Sequence, residues 1–129
     1  MARILVVEDS GAMRSYVRDA LETLELGSPI EIVEAESGFE ALRLLPRGPW
    51  HLVITDINMP DINGLELLSF IRSSEHHKQT PVLLMSTQTS KRDQDRGLAL
   101  GAVGYLAKPF SPEALRDAAQ KHLRKEWDG

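Results

Sequence analysis

The sequence predicts one doubly wound α/β domain, a (βα)5 chain whose five parallel strands are covered on both faces by helices. Three observations carry that expectation. Short apolar runs alternate five times with longer segments of helical spacing. Three of those runs are continuous Ile, Leu, Val or Met, as in strands buried on both faces. The chain, at 129 residues, has the length of a single domain, and it shows no linker, low-complexity run or internal repeat.

Taken in order, Ile4-Leu5-Val6-Val7 is the first strand. Met13, Val17, Ala20, Leu21 and Leu24 then share one helical face, with Gly27 and Pro29 read as the end of that helix. Ile30–Ala35 is a mixed strand, interrupted by Glu31 and Glu34, and belongs near a sheet edge. Ser37 with Glu40 three residues on reads as a capping box opening the second helix, which Pro46 and Gly48 close. Leu52-Val53-Ile54 is the third strand, and residues 64–72 are the third helix, with Leu67, Phe70 and Ile71 on one face. Val82-Leu83-Leu84-Met85 is the fourth strand, followed by a helix over residues 90–100 that Gly101 stops. Residues 103–107, with Tyr105 among them, form the other strand placed near an edge, and Ser111-Pro112 opens the fifth helix in cap-then-proline order.

Composition narrows the function. Fifteen basic against 19 acidic side chains leave a net charge of −4, which argues against a surface built for the phosphate backbone of nucleic acid; only residues 121–125 are locally basic. The absence of cysteine excludes a disulfide, a thiolate nucleophile and a zinc-thiolate site, and makes a reducing cytoplasm the default compartment. No run approaches the roughly 20 apolar residues of a membrane helix, and Met1-Ala2-Arg3 leading into an apolar run and Glu8-Asp9 is no signal peptide. The expectation is a cytoplasmic protein with neither a nucleic-acid nor a membrane partner, residues 1–129 forming one domain without an output domain.

In open α/β sheets, sites form outside the carboxyl ends of the strands. There the sequence places Glu8-Asp9 after the first strand, Asp56 after the third, Ser86 after the fourth and Lys108 after the fifth. Each residue has a bland reading: Asp56 as a turn former, Glu8-Asp9 as a helix cap, Lys108 as a surface lysine. Joint placement at four strand ends argues otherwise, since independent caps need not all be charged or hydroxylated at one edge. Converging carboxylates repel unless a counter-ion joins them, and an all-oxygen site of this kind suits Mg²⁺. Lys108 and the Ser86 hydroxyl are then left to receive an anion, for which phosphate is the natural candidate.

Four strings, Val6-Val7-Glu8-Asp9-Ser10, Asp56-Ile57-Asn58-Met59-Pro60-Asp61-Ile62-Asn63-Gly64, Pro81-Val82-Leu83-Leu84-Met85-Ser86 and Gly104-Tyr105-Leu106-Ala107-Lys108-Pro109-Phe110, resemble the receiver domains of bacterial two-component response regulators. Met13-Arg14 after the acidic pair makes the chain most similar to the stand-alone chemotaxis type of that family, the CheY-like regulators. The resemblance, over about residues 4–123, implies the flavodoxin-like strand order 2-1-3-4-5. It implies that Asp56 accepts a phosphoryl group from a sensor histidine kinase, with Mg²⁺ held by Asp9, by Glu8 through water, by Asp56 and by the backbone carbonyl of Asn58. Lys108 and Ser86 would contact the phosphoryl oxygens, Ser86 and Tyr105 would be the switch residues, and Lys108-Pro109 would be a cis peptide. The face of the fourth helix, fifth strand and fifth helix, about residues 90–123, would then meet a chemotaxis or motility target. A relay or sink passing phosphate to a histidine phosphotransfer protein is the alternative. Such a chain is a signalling domain whose only chemistry is its own phosphorylation and dephosphorylation, a monomer or a dimer on phosphorylation. Glu8 for the commoner Asp, Ser86 for Thr, and Thr87 for a small residue depart from the family pattern, while Asn58 and Gln88 occupy positions that tune hydrolysis.

Two rival classes lack their signatures. A phosphatase of the haloacid dehalogenase type needs Asp-x-Asp after its first strand, and a nucleotide or flavin binder needs a Gly-rich or Ser/Thr-rich phosphate loop, for which Ser10-Gly11-Ala12 is a poor substitute. His76-His77 reads as a solvated loop pair, His51 and His122 have no partners in sequence, and Trp50 and Trp127 read as packing residues.

Overall fold

In the computed structural model, which describes residues 1–87 and 91–123, the first apolar run begins two residues early and forms β1 (Ala2–Val7). It pairs in parallel with β2 (Ile30–Ala35) on one side and β3 (Leu52–Asp56) on the other. β4 (Val82–Ser86) and β5 (Gly104–Ala107) extend the sheet to the order β2-β1-β3-β4-β5. The three continuous apolar runs occupy the centre and the two interrupted ones the edges, as burial on both faces requires.

Alternation along each strand divides the core in two. Leu5, Val7, Val53, Val82 and Leu84 face α2 (Gly38–Leu44) and α3 (Gly64–Ser73), whose Ala41, Leu67, Leu68 and Ile71 complete that layer. Ile4, Val6, Ile54, Leu83 and Met85 face α1 (Gly11–Leu21) and α5 (Pro112–His122) through Val17, Leu21, Leu115 and Ala119. The remaining helix, α4 (Lys91–Ala99), approaches closely because of Gly97, where an added Cβ would lie 2.5 Å from a methyl of Leu84.

Several local expectations change. α1 ends at Leu21, well before Gly27, its last turn tightened by bonds from Thr23 N to Ala20 O and Leu24 N to Leu21 O; Gly27, at φ +70°, turns the loop toward β2. Ser37 caps α2 by accepting from Glu40 N, but the Glu40 carboxylate accepts from Glu36 N, so the box is not reciprocal. The complete capping box opens α3, where Asn63 and Glu66 each accept the other's backbone N–H. Phe70 is 57% exposed, because Leu67, Leu68 and Ile71 form the inward stripe of α3 and Phe70 falls outside it. Gly101 follows α4 at φ +102°, and Ser111 caps α5 with Pro112 at its first position, both as the sequence indicates.

Trp50 is buried, its indole N–H donating to Leu45 O. His51 has a partner after all, its Nδ1 accepting from Arg3 N, and His77 is buried, not solvated. Gln88, Ser90, Lys125 and Trp127 lie outside the described residues.

Candidate functional site

Strand register brings the polar strand ends together. Val7 sits opposite Thr55 and Asp56 opposite Met85, so Glu8, Asp56 and Ser86 emerge side by side from β1, β3 and β4. Ser86 is paired with Ala107, and Lys108 N donates to Ser86 O at 2.7 Å, which sets Lys108 at the same edge. Lys108-Pro109 is cis.

Glu8, Asp9 and Asp56 each offer a carboxylate oxygen within 4.8 Å of the others. Glu8 and Asp56 are 1% and 5% exposed, whereas Asp9 faces solvent. Lys108 reaches into this group from the far strand, its ammonium 2.5 Å from Glu8 Oε1 and 3.5 Å from Asp56 Oδ2. Burial raises the Glu8 carboxyl above its ordinary range, opposed by the bonds from Lys108 and from Ser10 N. Burial likewise raises Asp56, opposed first by the charge of Lys108 and then by the N–H of Asn58, while Asp9 pushes it up. The set is all oxygen, with neither imidazole nor thiolate, which fits a small hard cation. A buried carboxylate with an ammonium on one side and two more carboxylates nearby can hold such a cation and act as an oxygen nucleophile.

The Ser86 hydroxyl, 1% exposed, accepts from the Asn58 amide at 3.1 Å, and Asn58 N donates to Asp56 Oδ1 at 3.4 Å. Asn58 thus links the third and fourth strand ends through its side chain. Lys108 is paired here with Glu8 and Asp56, and Ser86 with Asn58. Tyr105, on β5 opposite Leu84, is half-buried against the α3-side core layer, 19 residues beyond Ser86 in sequence but one strand away in space. Thr87 is exposed.

Three features of the surroundings escape sequence reasoning. Ser10, rather than the acidic pair, caps α1 by accepting from Met13 N, which leaves Glu8 Oε2 to accept from Ser10 N. Arg14 donates to Glu8 O at 2.8 Å and pairs with Glu34 and Glu36, tying α1 to the β2 end. Asp61, in the loop after β3, accepts from Gly38 N and Phe39 N at the start of α2, and these N–H groups, that of Phe39 foremost, hold its carboxyl below the ordinary range. A helix-start acid gives a local signal in sequence; an acid capping a helix more than 20 residues upstream gives none.

A groove of about 870 Å³ lined by Leu45, Pro46, Phe70 and His77 lies at the opposite end of the sheet and includes none of these residues. No helix among the described residues is long and apolar enough to cross a membrane.

Comparison with known proteins matches residues 4–120 to the response regulator receiver domain. The chemotaxis protein CheY homolog of Campylobacter jejuni is 34% identical over 122 residues, covering 94% of this chain and 92% of the relative. Among solved structures, chemotaxis protein CheY4 of Vibrio cholerae superposes with a TM-score of 0.85 at 36% identity, covering 95% of this chain and 99% of that one. The Mn(2+)-bound form of response regulator Rcp1 gives 0.79 at 26% identity, with 94% and 91% covered. With the family matched over nearly its whole length and its strand order reproduced, the chain belongs to the response regulator receiver domains and is of the CheY type.

Proposed function

We propose that the chain is a phosphorylation-activated signalling switch whose phosphoryl acceptor is Asp56. The observation that carries the reading is the position of that carboxylate, 5% exposed, with Lys108 on one side and Glu8 and Asp9 on the other. A carboxylate oxygen of Asp56 attacks the phosphorus of a kinase phosphohistidine; the P–N bond breaks, its electron pair leaves with the imidazole, and an aspartyl phosphate forms. Lys108 screens the phosphoryl oxygens during the in-line transfer.

Glu8, Asp9 and Asp56, with the Asn58 carbonyl, would hold Mg²⁺, and the donor chemistry of the three carboxylates fits that ion. The Mn(2+)-bound form of a relative with the same fold supports this assignment. Bound there, the cation supplies charge neutralisation at the phosphoryl oxygens. Asp9 remains exposed, as a direct ligand reached from solvent should be.

An aspartyl phosphate adds close to two negative charges at the sheet edge. Ser86 then exchanges Asn58 for a phosphoryl oxygen, Tyr105 moves inward, and the surface of α4, β5 and α5 shifts population toward a form that binds a target. The reading is of a cytoplasmic signalling domain, not an enzyme acting on a separate substrate. Its partners are a sensor histidine kinase and a chemotaxis or motility protein.

Intact mass after incubation with acetyl phosphate tests the proposal. The expected result is one labile phosphoryl group gained in Mg²⁺, lost with chelator and absent in Asp56→Asn. A gain by that variant, or none by the parent with either acetyl phosphate or a phosphorylated kinase, overturns it.

A further inference from the structure

Lys108 acts at the site, yet it stands on the loop between β5 and α5, and something must fix that loop. On its amino side the fixing is by the sheet, through Lys108 N to Ser86 O. On its carboxyl side the contact comes from α1. The Tyr16 hydroxyl donates to the Phe110 carbonyl at 2.5 Å, across 94 residues of sequence. The two rings meet edge to face, centroids 5.9 Å apart. Phe110 is two residues beyond Lys108 and immediately precedes Ser111, the cap of α5.

The contact closes a ring. Glu8 accepts from Ser10 N, Ser10 caps α1, α1 carries Tyr16, Tyr16 holds Phe110, and two residues back Lys108 returns to Glu8. Both ends of the Lys108–Glu8 pair are therefore referenced to the same helix, one through the helix cap and the other through a side chain a turn and a half further on. A lysine side chain has four rotatable carbons and no intrinsic preference for a position 2.5 Å from one carboxylate and 3.5 Å from another. Holding the backbone on both sides of it restricts that freedom.

We propose that Tyr16 is a positioning residue for Lys108, its hydroxyl holding the β5–α5 loop so that the ammonium stays between Glu8 and Asp56; the effect on phosphoryl transfer rests on the function proposed above. Tyr16 is 37% exposed and its hydroxyl bonds the Phe110 carbonyl, so its path to Lys108 runs through the loop. General packing of α1 on α5 is a separate matter, served by Leu21, Leu115 and Ala119, with a bond from Arg116 to Thr23 Oγ1 at 3.1 Å just past the end of α1.

Tyr16→Phe removes the hydroxyl and keeps the ring against Phe110, so the fold is retained. Two readouts decide the proposal. The first is the ¹⁵Nζ and ¹³Cε resonances of Lys108, expected to shift in Tyr16→Phe and to stay in place in Arg116→Ala, which loosens the same helix pair elsewhere. The second is phosphorylation by acetyl phosphate across a Mg²⁺ titration. Tyr16→Phe should lower the maximal rate, read at saturating Mg²⁺, about tenfold. In a Lys108→Ala background the same substitution should have no further effect on the rate. Unmoved Lys108 resonances, or an equal rate loss in both backgrounds, overturn the positioning role. A parent protein that takes up no phosphoryl group overturns the proposed function instead, and the resonances alone then decide the role of Tyr16.

Discussion

The Lys108 ammonium lies 2.5 Å from a carboxylate oxygen of Glu8, a residue 100 positions earlier and 1% exposed. This pair supplies positive charge to a site whose carboxylates would otherwise repel, and the same Glu8 is among those that could hold a divalent cation. Lysine and metal therefore share one carboxylate. A cation held by Glu8 would draw that carboxylate from the ammonium, which stands 3.5 Å from Asp56 and would then be available there for the phosphoryl group proposed above.

Replacing Lys108 with Ala should reveal how much charge the ammonium balances. Its removal leaves the Glu8 and Asp56 carboxylates buried without the ion-pair partner they have among the described residues, at a cost on the order of 3 kcal/mol for breaking a buried pair. Denaturant unfolding at neutral pH in chelator should show a loss of that size. At a lower pH, where these raised carboxyls take up protons, the loss should shrink. Equal losses at both pH values would mean that the lysine does not stabilise those charges.

Stability of the parent protein should itself fall with pH over part of the acidic range. Burial raises the Glu8 and Asp56 carboxyls, so between their ordinary range and their raised one the folded chain binds more protons than the unfolded one. The stability they contribute is present below the ordinary range and is lost as pH rises through the raised one. Mg²⁺ binds the ionised form and should restore it, by about 2.7 kcal/mol at a hundredfold excess over its Kd. Melting curves in Mg²⁺ and in chelator, taken from about pH 4 to 8, should therefore diverge as pH rises. Parallel curves would contradict a metal site built from these carboxylates.

Gly64→Ala should damage the proposed phosphoacceptor more than its distance in sequence suggests. An added Cβ would lie 2.3 Å from the Asp56 carbonyl oxygen and 2.9 Å from Ile57 Cα, both backbone atoms that cannot rotate away. The loop after β3 must shift, at about 1–3 kcal/mol, and phosphorylation of Asp56 should slow with it. Asn63→Ala, one residue earlier, removes the cap of α3 for about 1 kcal/mol and should leave the rate near the parent value. Similar rates for the two alanine variants would show that the close approach of Gly64 does not position Asp56.

The fold was legible because its signals are local and repeated. Continuous apolar runs mark the central strands, and Ser111-Pro112 marks a helix start without reference to anything distant. Phe70 shows the limit: hydrophobicity placed it inward, while packing of Leu67, Leu68 and Ile71 turned it out. At the site, the strand ends could be read as Glu8, Asp56, Ser86 and Lys108 because register carries them to one edge. Their partners could not, since Asn58 to Ser86, Asp61 to α2 and Tyr16 to Phe110 depend on side-chain directions across 22 to 94 residues.

Ser86→Ala should separate the chemistry from the response. The hydroxyl is not the proposed nucleophile, and in this structure it accepts from the Asn58 amide at 3.1 Å. Asp56 in this variant should still gain a phosphoryl group in Mg²⁺, at a rate within a few-fold of the parent. What it loses is the oxygen that would turn to the phosphoryl group, and with it the pull on the end of β4, which pairs with β5 through Ser86 and Ala107. Amide resonances of Gly104–Ala107 and of α5 beyond Pro112, followed before and after phosphorylation, should move in the parent and move much less in Ser86→Ala. Equal movement would place the transmission elsewhere, through Lys108 and the loop that carries it. Abolished phosphorylation would instead place Ser86 in the acceptor chemistry itself.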